Sequence, residues 1–223
     1  MRIKLFPTLC CSSLLLLAIC PAGVDAMPVL MNSSLTGPVA TGTVPPDWFL
    51  WQKTPDTVDA TGPFNNTGVN WTLSPNGGTF VRAGGSDFPN SEAFAQNVTG
   101  LTIGATYQVT FHQTNLGFEN PTSGAWNGED GFWELVVDGL SSDTSTTLSK
   151  QAVATNPIVW TGGTMSFVAP NTTAELAFVS RAVGTSGLAA YMGIDGIRIQ
   201  PIPEPTAIVL LCFSLAALAA KRR

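Results

Sequence analysis

Cysteine is missing from the middle of this 223-residue chain. Its four cysteines, Cys10, Cys11, Cys20 and Cys212, all fall in the two end segments. Residues 27–202 therefore hold neither a disulfide nor a cysteine–metal cluster, and must be stable through packing alone. About 175 residues is enough chain to bury such a core. Histidine is nearly absent as well. With His112 alone and no serine in a nucleophile elbow, a Ser-His-Asp arrangement has no support. Positive charge is scarce: residues 27–202 carry 13 acidic against 5 basic residues, a net charge of −8. Without a basic patch, nucleic acid and anionic lipid are poor partners for this region. No stretch of it sustains a 3.6-residue apolar period, which argues against packed helices.

The two ends have a different character. Arg2 and Lys4 precede an apolar stretch from Leu9 to Cys20, then Pro21 and the Val24-Asp25-Ala26 site, the pattern of a signal peptide cleaved after Ala26. An uncleaved anchor, or a lipoprotein acylated at Cys20, are the alternatives. At the other end, Pro203-Glu204-Pro205 leads into an apolar run from Thr206 to Ala220 and closes on Lys221-Arg222-Arg223. As a helix this run covers roughly 22 Å, less than the ~30 Å of a bilayer core. It has no polar face, so a membrane suits it better than docking on a domain. The terminal cations stay on the cytoplasmic side, which places the rest of the chain across the membrane.

Between the ends, Gly, Thr, Ser, Asn and Pro are abundant, and short alternating runs recur between turn residues. Thr79–Ala83, Glu92–Val98, Thr106–Phe111, Phe132–Asp138, Thr164–Ala169, Ala174–Ser180 and Ala190–Ile199 read as strands. In the third, Tyr107, Val109 and Phe111 share a face; in the last, Ile194, Gly196 and Arg198 oppose Asp195, Ile197 and Ile199. Eight to ten such strands predict an all-β, two-sheet sandwich. The expected organisation is a signal peptide over 1–26, one β-sandwich domain over 27–200, and a sorting or anchor segment over 201–223.

The tail resembles the PEP-CTERM sorting signal of Gram-negative bacteria that export polysaccharide. Pro203, Glu204 and Pro205 form the tripeptide, and Lys221, Arg222 and Arg223 form the basic end. Cys212 and Phe213 depart from the usual small residues and Leu. The resemblance implies an exosortase in the inner membrane as processing partner, beside signal peptidase. It also implies anchoring by the tail, then a cell-surface or matrix location. The middle resembles galactose-binding-domain-like jelly rolls. Leu30–Leu35 with Trp48, the run from Val98 to Phe111, Phe132–Gly139, and Tyr191–Ile199 (YMGIDGIRI) carry that likeness.

Three groups are candidates for chemistry. In the resembled modules, a carboxylate on the closing strand can hold a structural Ca²⁺, which makes Asp195 the candidate metal ligand. Calcium needs six to eight oxygens, and Asn32-Ser33-Ser34 in the opening segment offers no acid; the alternative role is capping a turn or backbone amides. Glu129-Asp130 in a Gly-rich turn fall short of an alternating calcium loop and read as a solvated turn. Trp71 and Trp126, next to Asn70 and Asn127, lie in turn-rich segments where flat rings stack on sugar faces, so Trp71, Trp126 and Asn127 are the candidate carbohydrate site. Trp48, Trp133 and Trp160 are expected in the core. Glu119, Glu129 and Glu134 are the only hint of a glycosidase carboxylate pair.

The reading is an exported, non-catalytic envelope or matrix protein that binds extracellular polysaccharide, with no cofactor beyond a structural calcium. A structural biofilm-matrix protein without a specific sugar, and a glycan-active enzyme, are the competing readings.

Overall fold

A computed structural model describes residues 27–61, 71–86, 90–119, 123, 125–153, 156–184 and 188–203. The signal peptide over 1–26 and the tail from Glu204 onward lie outside the described residues.

The described chain is all β. Its strands are β1 (Phe49–Gln52), β2 (Asp56–Val58), β3 (Phe80–Gly85), β4 (Ala93–Thr99), β5 (Thr106–Asn115) and β6 (Phe118–Glu119). They continue with β7 (Trp126–Asn127), β8 (Gly131–Val137), β9 (Leu140–Thr144), β10 (Thr161–Val168), β11 (Thr173–Ala182) and β12 (Ala190–Pro201). Two five-stranded antiparallel sheets face each other, ordered β1-β4-β11-β8-β9 and β10-β5-β12-β3-β2, with β6-β7 as a small ribbon. All seven runs read from the alternation are strands.

The alternation explains the core. Tyr107, Val109 and Phe111 point inward from β5, and Trp133, Leu135 and Val137 from β8. Phe94 on β4 and Phe178 on β11 stack at 5.6 Å, with Trp48 5.0 Å from Phe94 and Trp133 meeting Phe94 edge-on at 6.1 Å. Truncating a ring this deep typically costs ~3–5 kcal/mol. Trp48 and Trp133 are core residues as expected; Trp160 is instead half-buried in a second cluster. Gly85 shows how closely the sheets approach, since a Cβ there would lie 2.5 Å from the Arg181 backbone nitrogen.

Strict alternation fails on β12. Asp195 faces His112, but the next paired residues are Arg198 and Thr110, so three steps on β12 match two on β5. Gly196 supplies the positive φ of 64° that this bulge uses. Ile194 and Ile197 both enter the core as a result, whereas regular alternation puts them on opposite faces. The open side of β10 is guarded by Asp143 of β9, whose carboxylate accepts from Ser166 N at 2.8 Å.

Candidate functional site

Because Tyr107, Val109 and Phe111 fill the core, Gln108, Thr110 and His112 must face outward from β5. The register extends this into rows across three strands. Ser166, Gln108 and Gln200 form one row; Thr164, Thr110 and Arg198 the next; Gly162, His112 and Asp195 a third. With strands ~4.8 Å apart and alternate residues ~6.7 Å apart, these rows cover roughly 10 by 13 Å. Gln200, Arg198, Thr164 and Gly162 are exposed, and Ser166, Gln108, Thr110 and His112 are half-buried. The Gln200 amide donates to Gln108 Oε1 at 2.8 Å, leaving polar atoms of both amides facing outward.

The face ends where the chain folds back over it. Thr114 pairs with Gly193 beyond the third row, and the Trp160 ring lies on Gly193, 3.2 Å from where a Cβ would stand. Trp160 also meets Phe80 edge-on at 5.0 Å and donates Nε1–H to the Thr72 carbonyl at 3.3 Å. Trp71, Val58, Leu116 and Ile158 complete this outer cluster. Trp71 is only 6% exposed, so its ring is packed in a cluster and not displayed on an open platform. The side chains of Trp126 and Asn127, the other members of the expected sugar site, lie outside what the structure describes; their backbone forms β7.

Asp195 sits at the border between the open rows and this cover, fully buried. It accepts a short hydrogen bond from the Ser74 hydroxyl and one from Gly196 N at 2.6 Å, and Asn76 donates to it as well. Burial pushes its carboxyl up; the donors from Ser74, Gly196 and Asn76, and the nearby His112, offset this only in part. The arrangement ties the 74–76 turn onto the Gly196 bulge. Among the described residues no group of three or more His, Cys, Asp or Glu side chains could hold a metal ion. The contacts of Asp195 are those of the turn and amide cap.

A second charged group lies on the same sheet. Arg82 and Asp56 form a buried ion pair at 2.7 Å, and the guanidinium lies 4.3 Å from the Tyr191 ring, on which Phe118 stacks at 4.9 Å. Beside it, burial pushes the Glu92 carboxyl up, opposed mainly by the Gly84 N–H at 2.5 Å and then by Arg82. Two further acids hold loop and sheet: Asp130 accepts from Ser149 Oγ at 2.8 Å, and Glu134 is paired to Arg181 at 2.6 Å.

The sequence reading missed the outward rows as a site, although their signal was present. Gln108, Thr110, Thr164 and Ser166 are the polar alternates of strands whose other face is aromatic or apolar.

No protein-family model matches the chain, and no curated protein matches its sequence. Among solved structures, the C-terminal domain of the sugar-binding protein EclA is 22% identical, with a TM-score of 0.34 over 48% of this chain. The chain spans 64% of that domain's length. A Stig cyclase, Fisc from Fischerella sp. TAU, is 13% identical with a TM-score of 0.53, covering 80% of this chain and 98% of the cyclase. The CBM22-1–GH10 fragment of Clostridium thermocellum xylanase 10B is 12% identical with a TM-score of 0.42, covering 71% of this chain and 26% of that one. The cyclase likeness shows a shared two-sheet β-sandwich over most of the described chain, and at that identity it shows the fold alone.

Proposed function

We propose that the chain is an exported, non-catalytic protein that binds polysaccharide on the outer face of β10-β5-β12, with a galactose-binding-like jelly roll as its scaffold. The observation that carries this reading is the set of outward rows. They offer hydroxyl, amide, imidazole and guanidinium groups on a rigid sheet, with the half-buried Trp160 at one border. Sugars are held by polar groups that select hydroxyls beside an apolar surface. The covered Trp71 favours this face over a loop platform. Of the three glutamates that hint at a glycosidase pair, Glu134 is held in an ion pair with Arg181, which supports the non-catalytic reading for that residue. The Pro203-Glu204-Pro205 tail supports delivery to the envelope through an exosortase, with a membrane hold before processing.

Affinity electrophoresis of the purified chain through gels containing single polysaccharides tests the binding. Retardation by at least one polymer is expected, weakened about tenfold, the equivalent of ~1.4 kcal/mol, in a Gln108→Ala plus Gln200→Ala double variant. Free migration in every gel would leave the structural matrix reading in its place.

A further inference from the structure

We infer that the polysaccharide taken by this face bears carboxylates, and that Arg198 is the group that recognises them. The inference rests on the proposed function and narrows it to a class of ligand.

Arg198 stands in the middle row, exposed, paired in register with Thr110, which is itself opposite Thr164. The other two described arginines are committed, Arg82 to Asp56 and Arg181 to Glu134. Arg198 has no hydrogen bond, ion pair or ring contact of its side chain among the described residues. In a domain with 13 acids against 5 basic residues, that is an unusual place to leave a cation unneutralised.

An exposed arginine alone says little, because water solvates it well. Its surroundings supply the argument. The groups next to it in the rows are Thr110, Thr164, Gln108, Gln200, Ser166 and His112, none of them a carboxylate. The one acid in the rows, Asp195, is buried and turned to Ser74, Gly196 and Asn76. Asp143, at the edge of the rows, accepts from Ser166 N and Oγ, so among the described residues no carboxylate is paired with the guanidinium, while hydroxyl and amide groups surround it at the spacing of the sheet.

A guanidinium offers two parallel N–H donors that match the two oxygens of a carboxylate, so it reads that group by shape as well as charge. The flanking threonine hydroxyls and glutamine amides would take ring hydroxyls of the same sugar chain. A neutral polymer can use only the second set. The domain's net negative charge repels a polyanion at a distance, but salt screens this beyond ~8 Å at physiological ionic strength. The discrimination is therefore a contact effect, centred on one residue.

Polygalacturonate and its fully methyl-esterified form share a backbone and differ in the carboxylate charge, which makes them the probes. Affinity electrophoresis of the purified full chain at physiological salt should show the acid form bound about tenfold more tightly than the ester. Arg198→Gln should abolish that difference, and because Arg198 is exposed and its side chain makes no hydrogen bond, ion pair or ring contact among the described residues, the melting midpoint should not move. Arg198→Lys, which keeps the charge but not the fork, should restore only part of it. Equal binding of the two polymers by the parent chain overturns the inference, as does a difference that survives in Arg198→Gln. Dextran sulfate bound as tightly as polygalacturonate, and lost with Arg198→Gln, also overturns it, since the site would then read charge and not the carboxylate. A neutral polysaccharide bound while both pectic polymers are ignored overturns the inference and keeps the proposed function. If no polysaccharide binds, both fall.

Discussion

Replacing Asp195 with alanine removes the acceptor that holds the 74–76 turn on the β12 bulge. Two donors lose their partner: the hydroxyl of Ser74, itself 5% exposed, and the N–H of the half-buried Gly196. Asn76 is exposed and returns to water at little cost. Each stranded buried group costs ~1–3 kcal/mol, offset in part because the buried carboxyl no longer has to be desolvated. A net loss of ~2–4 kcal/mol follows. Asp195→Asn should behave differently. Its amide oxygen still accepts from Gly196 N, and its NH₂ can donate to Ser74 Oγ, since a hydroxyl both donates and accepts. That variant should lose ~1 kcal/mol or less at neutral pH.

Urea denaturation followed by tryptophan fluorescence reads both. With a slope of ~2 kcal/mol/M, the alanine variant's midpoint should fall by ~1–2 M, and the asparagine variant's by no more than ~0.5 M. The pH dependence adds a second signature. Burial raises Asp195 above its ordinary 3.8 and Glu92 above its ordinary 4.5. Between the unfolded and folded values the native state holds more protons than the unfolded one, so stability falls as pH rises through that window and is level above it. Lowering the pH from neutral into the window should therefore raise the midpoint. Asp195→Asn should remove the Asp195 share and leave that of Glu92. If alanine and asparagine cost the same, or if the parent's stability rises with pH across the window, the assignment of Asp195 as a buried cap is wrong.

Two further outcomes follow from the packing. Gly85→Ala brings a Cβ within 2.5 Å of Arg181 N and 2.6 Å of the Ser180 carbonyl carbon, both backbone atoms that cannot swing away. It should cost ~3 kcal/mol or more and lower the thermal midpoint by several degrees, whereas Gly162→Ala, which meets nothing within 4 Å, should leave it within a degree or two. Because protein donors already engage the Asp195 carboxylate, adding a chelator should leave the melting midpoint unchanged; a midpoint that rises with millimolar calcium would return Asp195 to the role of metal ligand.

The strands that could be read from the sequence are those with one wet and one dry face. β5 has Tyr107, Val109 and Phe111 against Gln108, Thr110 and His112, and no other pattern fits it. The strands that escaped have weak or no alternation. β2 is three residues long and buried throughout, while β9 reads Leu-Ser-Ser-Asp-Thr and is nearly all exposed. β9 did leave a local signal: Asp138 and Gly139 both take positive φ, 48° and 80°, the turn that joins two strands by two residues. The Asp-Gly pair announces a returning strand even where that strand's own residues do not.

The site was harder to read than the fold because it depends on a parity change and on a cover, and both are tertiary. A period of two carried from Ile194 along β12 puts Arg198 on the same face as Ile194, among the core residues. Only the extra residue at Gly196 returns Ile197 inward and sends Arg198 and Gln200 outward. That extra residue is tolerated because glycine adopts the required φ and because Asp195 accepts its N–H. Trp71 likewise looks like a loop ring from its neighbours in sequence, yet Phe80 and Ile158, from other parts of the chain, bury it. One acid thus does two things for the face. It stabilises the bulge that turns Arg198 outward, and it draws the 74–76 turn over the sheet beside the rows that stay open. Asp195→Ala should then weaken binding on this face even though the residue offers a ligand no exposed atom, and a variant that binds normally after that change would separate the bulge from the site.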